Sequence, residues 1–518
     1  MADSDRPANQ TTEPVEPAAK RQLPYSRRGF IALGAVAGGG LALAVVAGEL
    51  TPSRPPAAKA PATGPLAPTL PAHSFKSTDL KAQTVVTRQL GETAPGYLFI
   101  EPETSTIFHG MIMDDSGEAV WIGPAGIQMT DVKVQTFEGK PVLTFWSGTV
   151  DLGHGDGVGN ILDTSYRTIA KVKTGPGMNA DLHEFHLTPW GTALMTAYPT
   201  AKADLTAVKG PRNGYIMNCH VQEVDVKTGA VLLDWSAQDH IDLADTYAFV
   251  ANQADGNGKS AASPFDPFHF NSIDYDADGT TLYVSARHMH TVYAIDRKSG
   301  AIKWRMGGRK NEFTIAENAQ FAWQHHVRKR SEGVFTLFNN HSRTAGDPTT
   351  SQAFVLNVDE AARTVGLQKS YDHGILAPAE GSVQPLVNGN VLIGWGDNPV
   401  VTEYTGDGRL VYEMTHVGTA TYRVFRSEWV ASPTTVPDVA AFMVGNKARI
   451  YVSWNGATEV RHWRILTGDG ASSLSPAMIV PRSGFETSTS VPRAAAVAVQ
   501  ALDFRGKVLA TSRVVSTA

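Results

Sequence analysis

The stretch HFNSIDYDADGTTLYVSARH, residues 269–288, contains two short runs of β-branched and aromatic residues on either side of a turn that ends at Gly279. Runs of this kind, bounded by Asp and Gly, are typical of two β-strands joined by a tight hairpin. The same order of a run, a glycine turn and a strongly β-prone strand recurs along the chain. The turn glycines are Gly139, Gly191, Gly279, Gly333 and Gly389.

These glycines divide the chain into units of similar length. Their spacings are 52, 88, 54 and 56 residues, and the long interval holds an insertion around 200–215 and 237–267. GYLFIEP (96–102) resembles a truncated first copy, so there are six units built of short strands. The repeat predicts an all-β fold, a six-bladed β-propeller. A β-sandwich is the competing interpretation, but it would not repeat so evenly.

Residues 1–50 predict an export signal. Arg27 and Arg28 directly precede an apolar run rich in Gly and Ala, which is typical of a twin-arginine signal. An uncleaved membrane anchor is the alternative, and it is the one membrane attachment that the sequence suggests. We therefore expect the twin-arginine translocation machinery as a partner and an extracellular, periplasmic or cell-surface location.

Three further segments are predicted after the signal. Residues 51–82 are a Pro- and Ala-rich linker, expected to be extended or disordered. Residues 83–429 contain the repeat and are predicted to be the catalytic propeller domain. Residues 430–518 alternate between apolar and polar positions, which predicts a separate, small C-terminal β-sandwich.

The composition excludes several functional classes. The chain is 42% hydrophobic and 18% charged, with a net charge of −5, so it lacks the basic character of a nucleic-acid binder. Cys219 is its one cysteine, which excludes an intramolecular disulfide and Cys-based zinc or iron–sulfur sites within one chain. We expect no nucleic-acid partner, no cofactor and no metal.

Three histidines lie at the start of the same strand of the repeat. His183 and His325 are eight residues before their turn glycines, and His269 is ten before its own, in a turn longer by two. Inner strands of a propeller surround one axis, so equivalent ends converge on one mouth of the channel. Arg287 and His341 each lie eight residues after a turn glycine, at the same level. The repeat thus predicts one cationic cluster.

The other histidines are interpreted differently. His326 follows His325 in an alternating strand, so it should point away from the channel mouth, into the blade or toward a neighbour. A histidine taken alone is more often a surface or hydrogen-bonded residue than a ligand or a catalyst. This interpretation applies to His186, His220, His240, His373 and His416.

Several imidazoles beside a guanidinium suit an anionic group with three oxygens. An Arg fork binds two oxygens at once. A histidine can attack through a ring nitrogen and hold the transferred group covalently, while the others neutralise charge on the group and on the departing oxygen. The predicted cluster therefore favours sulfuryl or phosphoryl transfer.

The chain resembles the bacterial and fungal arylsulfotransferases over roughly residues 95–430. The segments that carry the resemblance include DLHEFHLTPWGTALMTAY (181–198), VQEVDVKTGAVLLDWSAQDHI (221–241), HFNSIDYDADGTTLYVSARH (269–288), WQHHVR (323–328) and GSVQPLVNGNVLIGWG (381–396). The resemblance implies transfer of a sulfuryl group from an aryl sulfate donor to a phenolic acceptor. It also implies a ping-pong mechanism through sulfohistidine, without a nucleotide.

The resemblance implies roles for individual residues. His325 follows a glutamine, as the family's nucleophilic histidine does. His269 and Arg287, eighteen residues apart, reproduce the spacing of the pair that binds the sulfuryl oxygens. His183 corresponds to a further catalytic histidine on an earlier blade. Two more residues are expected to contact the substrate: Asn271 and His341.

Two other functions remain open from the sequence. One is a metal-dependent hydrolase or lyase with zinc bound by His183, His269 and His325, although Arg287 beside a dication argues against it. The other is a non-catalytic propeller that binds a sulfated or acidic ligand.

Overall fold

The computed structural model of the protein describes residues 69–104, 109–151, 153–250, 255–344 and 346–517. The predicted signal and residues 51–68 of the predicted linker lie outside these ranges. Regular structure in the described residues consists of β-strands and short 3-10 turns, which confirms the all-β class. No helix in these ranges has the length and apolar character needed to cross a membrane.

Six blades surround one axis, as the repeat predicts, and their strands are antiparallel except for one short strand in blade 5. Numbered along the chain and given from the inner strand outward, blade 1 contains β30 (Phe425–Ser427), β4 (Tyr97–Ile100), β5 (Met111–Met113) and β6 (Ala119–Ile122). Blade 2 contains β7 (Gln128–Phe137), β8 (Lys140–Asp151), β9 (His154–Leu162) and β10 (Thr168–Val172). Blade 3 contains β11 (Ala180–Leu187), β12 (Thr192–Ala197), β15 (His220–Asp225) and β16 (Val231–Ser236).

The remaining blades follow the same order. Blade 4 contains β17 (Phe270–Tyr275), β18 (Thr281–Ala286), β19 (Thr291–Asp296) and β20 (Ile302–Gly307). Blade 5 contains β22 (His325–Ser331), β23 (Val334–Asn339), β24 (Gln352–Asp359), β25 (Thr364–Asp372) and the short β21 (Thr314–Ile315). Blade 6 contains β26 (Ser382–Pro385), β27 (Val391–Gly394), β28 (Val400–Tyr404), β29 (Leu410–Thr415) and β3 (Val86–Gln89). The predicted insertion begins with a hairpin of β13 (Thr200–Ala203) and β14 (Gly214–Met217).

Both ends of the propeller sequence close the ring. Strand β3 pairs with β29 at the outer edge of blade 6, and β30 pairs with β4 as the inner strand of blade 1. The first repeat therefore looks truncated in sequence because its inner strand comes from the far end of the propeller. Hydrophobic clusters fill the space between neighbouring blades, with Trp146 and Phe185 fully buried between blades 2 and 3.

The inner strands are irregular near their first residues. The register shifts in β7, β11, β17 and β22. Asp131 and His326 adopt left-handed backbone conformations, with φ of 57° and 52°, and so does His269, with φ of 57°, directly before β17. A β-bulge bends a strand and re-aims its side chains, so neighbouring residues here point to different places around the axis.

The C-terminal residues form two packed sheets, as predicted for a β-sandwich. One sheet contains β31 (Asp438–Val444), β32 (Lys447–Ser453) and β35 (Glu486–Pro492). The other contains β34 (Ser475–Pro481), β33 (His462–Gly468), β36 (Ala496–Leu502), β37 (Val508–Thr511) and β38 (Val515–Ser516). Ile450, Trp463 and Val499 are buried in their shared core.

Polar contacts join this sandwich to the propeller and to the end of the predicted linker. Asn455 makes two hydrogen bonds of 2.8 Å with the backbone of Ile122 in blade 1. Strands β1 (His73–Ser74) and β2 (Lys81–Ala82) pair with each other, so the last part of the linker is ordered. Between them, Glu486 accepts hydrogen bonds from the backbone of Lys76 and Ser77.

Candidate active site

The structure brings four of the predicted site residues together at one mouth of the channel. The ring centroids of His183 and His269 are 4.8 Å apart, and the backbone N–H of Arg287 donates to the carbonyl of His269. The charges of Arg287, His269 and His183 all act on His325. His183, His325 and Arg287 are buried, so the cluster is largely withdrawn from solvent.

His325 is held in one tautomer by Asn340. Asn340 uses its Nδ2 to donate to the carbonyls of Ala377 and Glu380, which leaves its Oδ1 as an acceptor. That oxygen lies 2.8 Å from Nδ1 of His325, so Nδ1 carries the hydrogen and Nε2 carries the lone pair. Burial and the positive charge of Arg287 hold the pKa of His325 well below its ordinary value. The imidazole is therefore neutral, with the electron pair on Nε2.

Two histidines of the cluster are each oriented by a buried aspartate. Nδ1 of His183 lies 2.5 Å from Asp181, and Nδ1 of His269 lies 2.5 Å from Asp266. Burial opposes ionisation of both carboxyls, but the histidines outweigh it. His183 lowers the pKa of Asp181 to about 2. His269 and His288 hold the pKa of Asp266 well below its usual range. Both carboxylates are ionised acceptors, so each imidazole presents Nε2 to the site.

Arg287 is the fixed positive charge of the site. Its guanidinium donates to Nε2 of His288 (2.8 Å) and to the carbonyl of Pro378 (3.0 Å), and it lies 5.3 Å from the ring centroid of Trp323. Burial and Arg343 lower the pKa of Arg287 to about 10, so the group is still charged at neutral pH. Its Nε is buried without a hydrogen-bond partner among the described residues, which leaves a donor for a ligand oxygen.

Two carboxyl groups near Arg287 are able to hold a proton at neutral pH. Burial raises the pKa of Asp397 to about 7, and it raises the pKa of Glu380 well above its usual range. The backbone N–H of Glu380 donates to Nε2 of His325 over 3.3 Å. The site therefore combines a neutral nucleophile, a guanidinium and groups that exchange protons.

The two predicted substrate-binding residues differ in position. Asn271 is fully buried, donates to the carbonyl of Gln324 (2.7 Å), and has an Oδ1 without a partner in the described part of the chain. His341 is exposed, and its ring lies in the field of Asp372 and Asp347. Within the described residues, no hydrogen bond or ring contact joins it to the cluster. The backbone turns at His341, with φ of 63°, and Asn340 contacts His325 instead.

His326 points away from His325, as expected, but a bulge rather than regular alternation causes this. Its Nδ1 accepts a hydrogen bond from Val383 N–H of blade 6 (3.1 Å), and its ring packs 5.6 Å from that of Phe425 in blade 1. The bulge in β22 produces this difference, since it turns the second histidine toward the neighbouring blades.

The sequence interpretation did not find several residues of the site. His154, from the hairpin between β8 and β9, lies with its ring 5.2 Å from His269 and 4.8 Å from Tyr198. The glycine spacing cannot place it, because it is not on an inner strand. Asp181 and Asp266 could have been found, since each stands two or three residues before a histidine of the cluster.

One group in the described residues has the donors for a metal ion. His154, Asp266 and His269 offer ligand atoms within 4.8 Å of one another, whereas the sequence pointed to three histidines. Oδ2 of Asp266 lies 2.5 Å from His269 Nδ1 and 3.2 Å from His154 Nε2. An ionised carboxylate at these distances is satisfied by imidazole N–H groups, and this arrangement orients both rings without a metal.

The fold and the site thus define the class of protein: a β-propeller with a His–Arg cluster at one mouth of its channel. The sequence profile of the arylsulfotransferase (ASST) family matches residues 133–417, more than half of the chain and the inner strands of blades 3 to 6. The chain belongs to the arylsulfotransferase family. Members of this family are typically periplasmic or exported, and membership supports a sulfotransferase activity.

Comparisons beyond the family add little. No curated protein matches the chain significantly. A protein of unknown function from Bacteroides caccae is 13% identical over 64% of this chain and 98% of that chain, with a TM-score of 0.39. The periplasmic gluconolactonase of Pseudomonas aeruginosa is 14% identical over 64% of this chain and 99% of that chain, with a TM-score of 0.38. Similarity at this level carries no functional argument.

Proposed function

We propose that the protein transfers a sulfuryl group from an aryl sulfate to a phenol through a covalent sulfohistidine on His325. The observation that carries this proposal is the hydrogen bond between His325 Nδ1 and Asn340 Oδ1, which leaves the lone pair on Nε2 of a neutral imidazole near Arg287. A neutral imidazole next to a fixed cation suits attack on an anionic sulfuryl group.

In the first half-reaction, Nε2 of His325 attacks sulfur, the N–S bond forms, and the S–O bond to the aryl group breaks. Arg287 binds the sulfuryl oxygens through its guanidinium. The anionic substrate favours the protonated form of His269 beside Asp266, and the Nε2–H of that form donates to the same group. The phenolate leaves with the electron pair of the S–O bond. His183, oriented by Asp181, enters the cycle protonated on both ring nitrogens, and its Nε2–H passes the proton to the departing oxygen, which leaves His183 neutral.

The second half-reaction runs these steps in reverse with another phenol. A phenolic acceptor enters the vacated place, and its oxygen attacks sulfur as the N–S bond breaks. The acceptor proton passes to the base left by the first step, and His325 returns to its neutral form. The substrates are therefore small phenols and aryl sulfates, and no nucleotide takes part.

The direct test is turnover of 4-nitrophenyl sulfate with and without an added phenol. We expect release of 4-nitrophenolate that increases with acceptor concentration and is unchanged after treatment with a chelator. The group of His154, Asp266 and His269 makes metal-dependent hydrolysis the second candidate. Acceptor-independent release that is lost on chelation and restored by zinc would establish that candidate instead.

Arg287→Lys should lower kcat/KM strongly. Lysine keeps the charge but cannot present two parallel N–H donors to the sulfuryl oxygens, so we expect a loss of about 2–4 kcal/mol, roughly 30- to 1,000-fold. The matched control is Arg297→Lys, whose guanidinium also lies over a tryptophan ring, Trp190, but beside the turn at Gly279, at the opposite end of the inner strands. Near-normal turnover in a folded Arg287→Lys protein would remove Arg287 from the site.

We further propose that the protein is exported by the twin-arginine route. Arg27 and Arg28 lie outside the described residues, and their place before an apolar run is the support for this proposal. Replacing both with Lys should retain the protein in the cytoplasm, as measured by cell fractionation. The control is Arg21→Lys, a change of the same kind a few residues earlier. Unchanged export of the double variant would reject this route.

The division of labour along the chain is also a proposal. The four clustered residues all come from propeller blades, which supports residues 83–429 as the catalytic domain. Residues 430–518 have their own hydrophobic core, which supports an accessory domain.

A further inference from the structure

A cavity lies on the propeller axis, at the mouth opposite to the histidine cluster. Its volume is about 730 Å³, and every inner strand contributes to its wall. The contributing residues, one from each inner strand, are Gln135, Leu187, Tyr275, Arg330, Gln384 and Ser427. These residues lie at or near the ends of their strands. The clustered histidines of blades 3 to 5 lie in the first half of an inner strand or directly before it.

Buried ion pairs lie between this cavity and the histidine cluster. Glu184, in the middle of β11, binds Arg328 (2.6 Å), Arg423 (3.2 Å) and Lys133 (3.3 Å). Lys133 and Arg328 also line the cavity, while Arg423 donates to the carbonyl of Asn271 on the side of the cluster. A ligand in the cavity would therefore occupy a site of its own.

His326 lines the cavity and has a buried, unpaired donor. Its Nδ1 accepts from Val383 N–H (3.1 Å), so the hydrogen of the neutral ring is on Nε2. The residue lines the cavity and is 1% exposed, and its Nε2 has no hydrogen-bond partner in the described part of the chain. Burial and the charges of Arg328 and Arg423 hold its pKa well below the ordinary value, so the ring stays neutral. An unmade hydrogen bond of a buried donor is costly, which indicates an acceptor from outside.

The lining also has a cation that forms no salt bridge, although the carboxylate of Asp274, which lines the same cavity, acts on its charge. Arg330 donates to Thr336 Oγ1 (2.8 Å) and to the carbonyl of Val383 (2.6 Å), and no carboxylate of the described residues lies within salt-bridge distance of it. By contrast, Lys329 is paired with Glu360, and Arg328 with Glu184. The lining also offers apolar surface, because Phe425 and Tyr275 belong to it.

We propose that this cavity binds a small organic anion that has an oxyanion head and an apolar body. The head accepts hydrogen bonds from His326 Nε2–H and from the Arg330 guanidinium, and the body lies against Phe425 and Tyr275. A volume of about 730 Å³ is in the range of small-molecule sites, which are mostly apolar with a few placed polar groups. This site is independent of the transfer reaction proposed above.

The test uses naphthalene-1-sulfonate, whose C–S bond prevents sulfuryl transfer. Its binding to the full chain is measured by calorimetry in an Arg287→Gln background, so that binding at the histidine cluster is weakened. We expect one equivalent to bind, and the added change Arg330→Gln to weaken it about tenfold or more, because a charge-assisted hydrogen bond is lost. The uncharged naphthalene-1-sulfonamide should bind the Arg287→Gln protein no more tightly than the sulfonate binds the double variant.

The exposed position of Arg330 makes its substitution compatible with folding. His326→Phe tests the buried donor separately, and it should weaken the same binding event. Absence of binding in the Arg287→Gln background, or equal affinity with and without Arg330, would overturn the proposal.

Discussion

Replacing His325 with Asn should abolish sulfuryl transfer while the propeller stays folded. His325 is the imidazole whose Nδ1 is fixed by Asn340 and whose Nε2 has the lone pair, so its loss removes the group that attacks sulfur. Asparagine offers no comparable nucleophile, and we expect a decrease in kcat of at least about a thousandfold, as for other catalytic nucleophiles. The measurement is turnover of 4-nitrophenyl sulfate with a phenol acceptor.

The neighbouring histidine provides a matched control. His326→Asn removes an imidazole one residue away that contacts Val383 and Phe425, so it should reduce stability without preventing covalent labelling. With donor alone and a rapid alkaline quench, one sulfuryl mass should appear on the peptide that contains WQHHVR, residues 323–328. The label should be present in His326→Asn and absent in His325→Asn. Persistence of the label without His325 would contradict the mechanism.

The environment of His325 determines the pH dependence of covalent labelling. An ordinary histidine, with a pKa of about 6.5, would lose its nucleophilic form on mild acidification. Burial and Arg287 hold the pKa of His325 well below that value. In the free enzyme the neutral form is therefore available at neutral pH and below about pH 6.5, so labelling at pH 6 should still occur.

Removing the charge of Glu184 should destabilise the protein more than any other single change considered. Glu184→Gln leaves Arg328, Arg423 and Lys133 buried with one carboxylate fewer, and loss of one partner of a buried ion pair costs about 3–5 kcal/mol. Burial alone would raise the pKa of Glu184, but the three cations hold it well below its usual range. The carboxylate is therefore ionised at neutral pH, and its stabilising effect is lost only as the pH falls through the lowered folded-state pKa.

The measurement for Glu184→Gln is the free energy of unfolding from chemical denaturation. The control is Glu138→Gln, the same substitution in an exposed ion pair with Lys227, which should leave the midpoint nearly unchanged. Similar midpoints for the wild type and Glu184→Gln would show that the axial ion pairs do not hold the blades together.

The repeat of glycine turns was sufficient to predict the blades, because each turn joins two adjacent strands whatever the rest of the blade contains. It also led to His183, His269 and His325, since equivalent strand positions meet around one axis. The same rule did not hold for His341. It assumes regular strands, and the left-handed backbone at His341 places Asn340 at the site instead.

Other features depend on contacts that no local pattern contains. The aspartates that orient His183 and His269 are near them in sequence, but His154 reaches the site from a different blade. The ion pairs of Glu184 join blades 2, 3, 5 and the segment before β30. Bulges at the starts of the inner strands decide which side chains face the axis, and they follow from packing rather than from the order of residue types.

The way the ring closes has a consequence for how the chain reaches its native state. The closing pairs join residues more than 300 positions apart, such as Phe99 with Phe425 and Gln89 with Tyr412. Contacts of such high sequence separation form slowly, because the entropy of closing the intervening loop must be overcome before they contribute. Blades 2 to 5 are built from contiguous sequence, so they are able to form before the ring does. Synthesis must pass Ser427 before the last inner strand is in place, and the channel mouth acquires its final geometry only then.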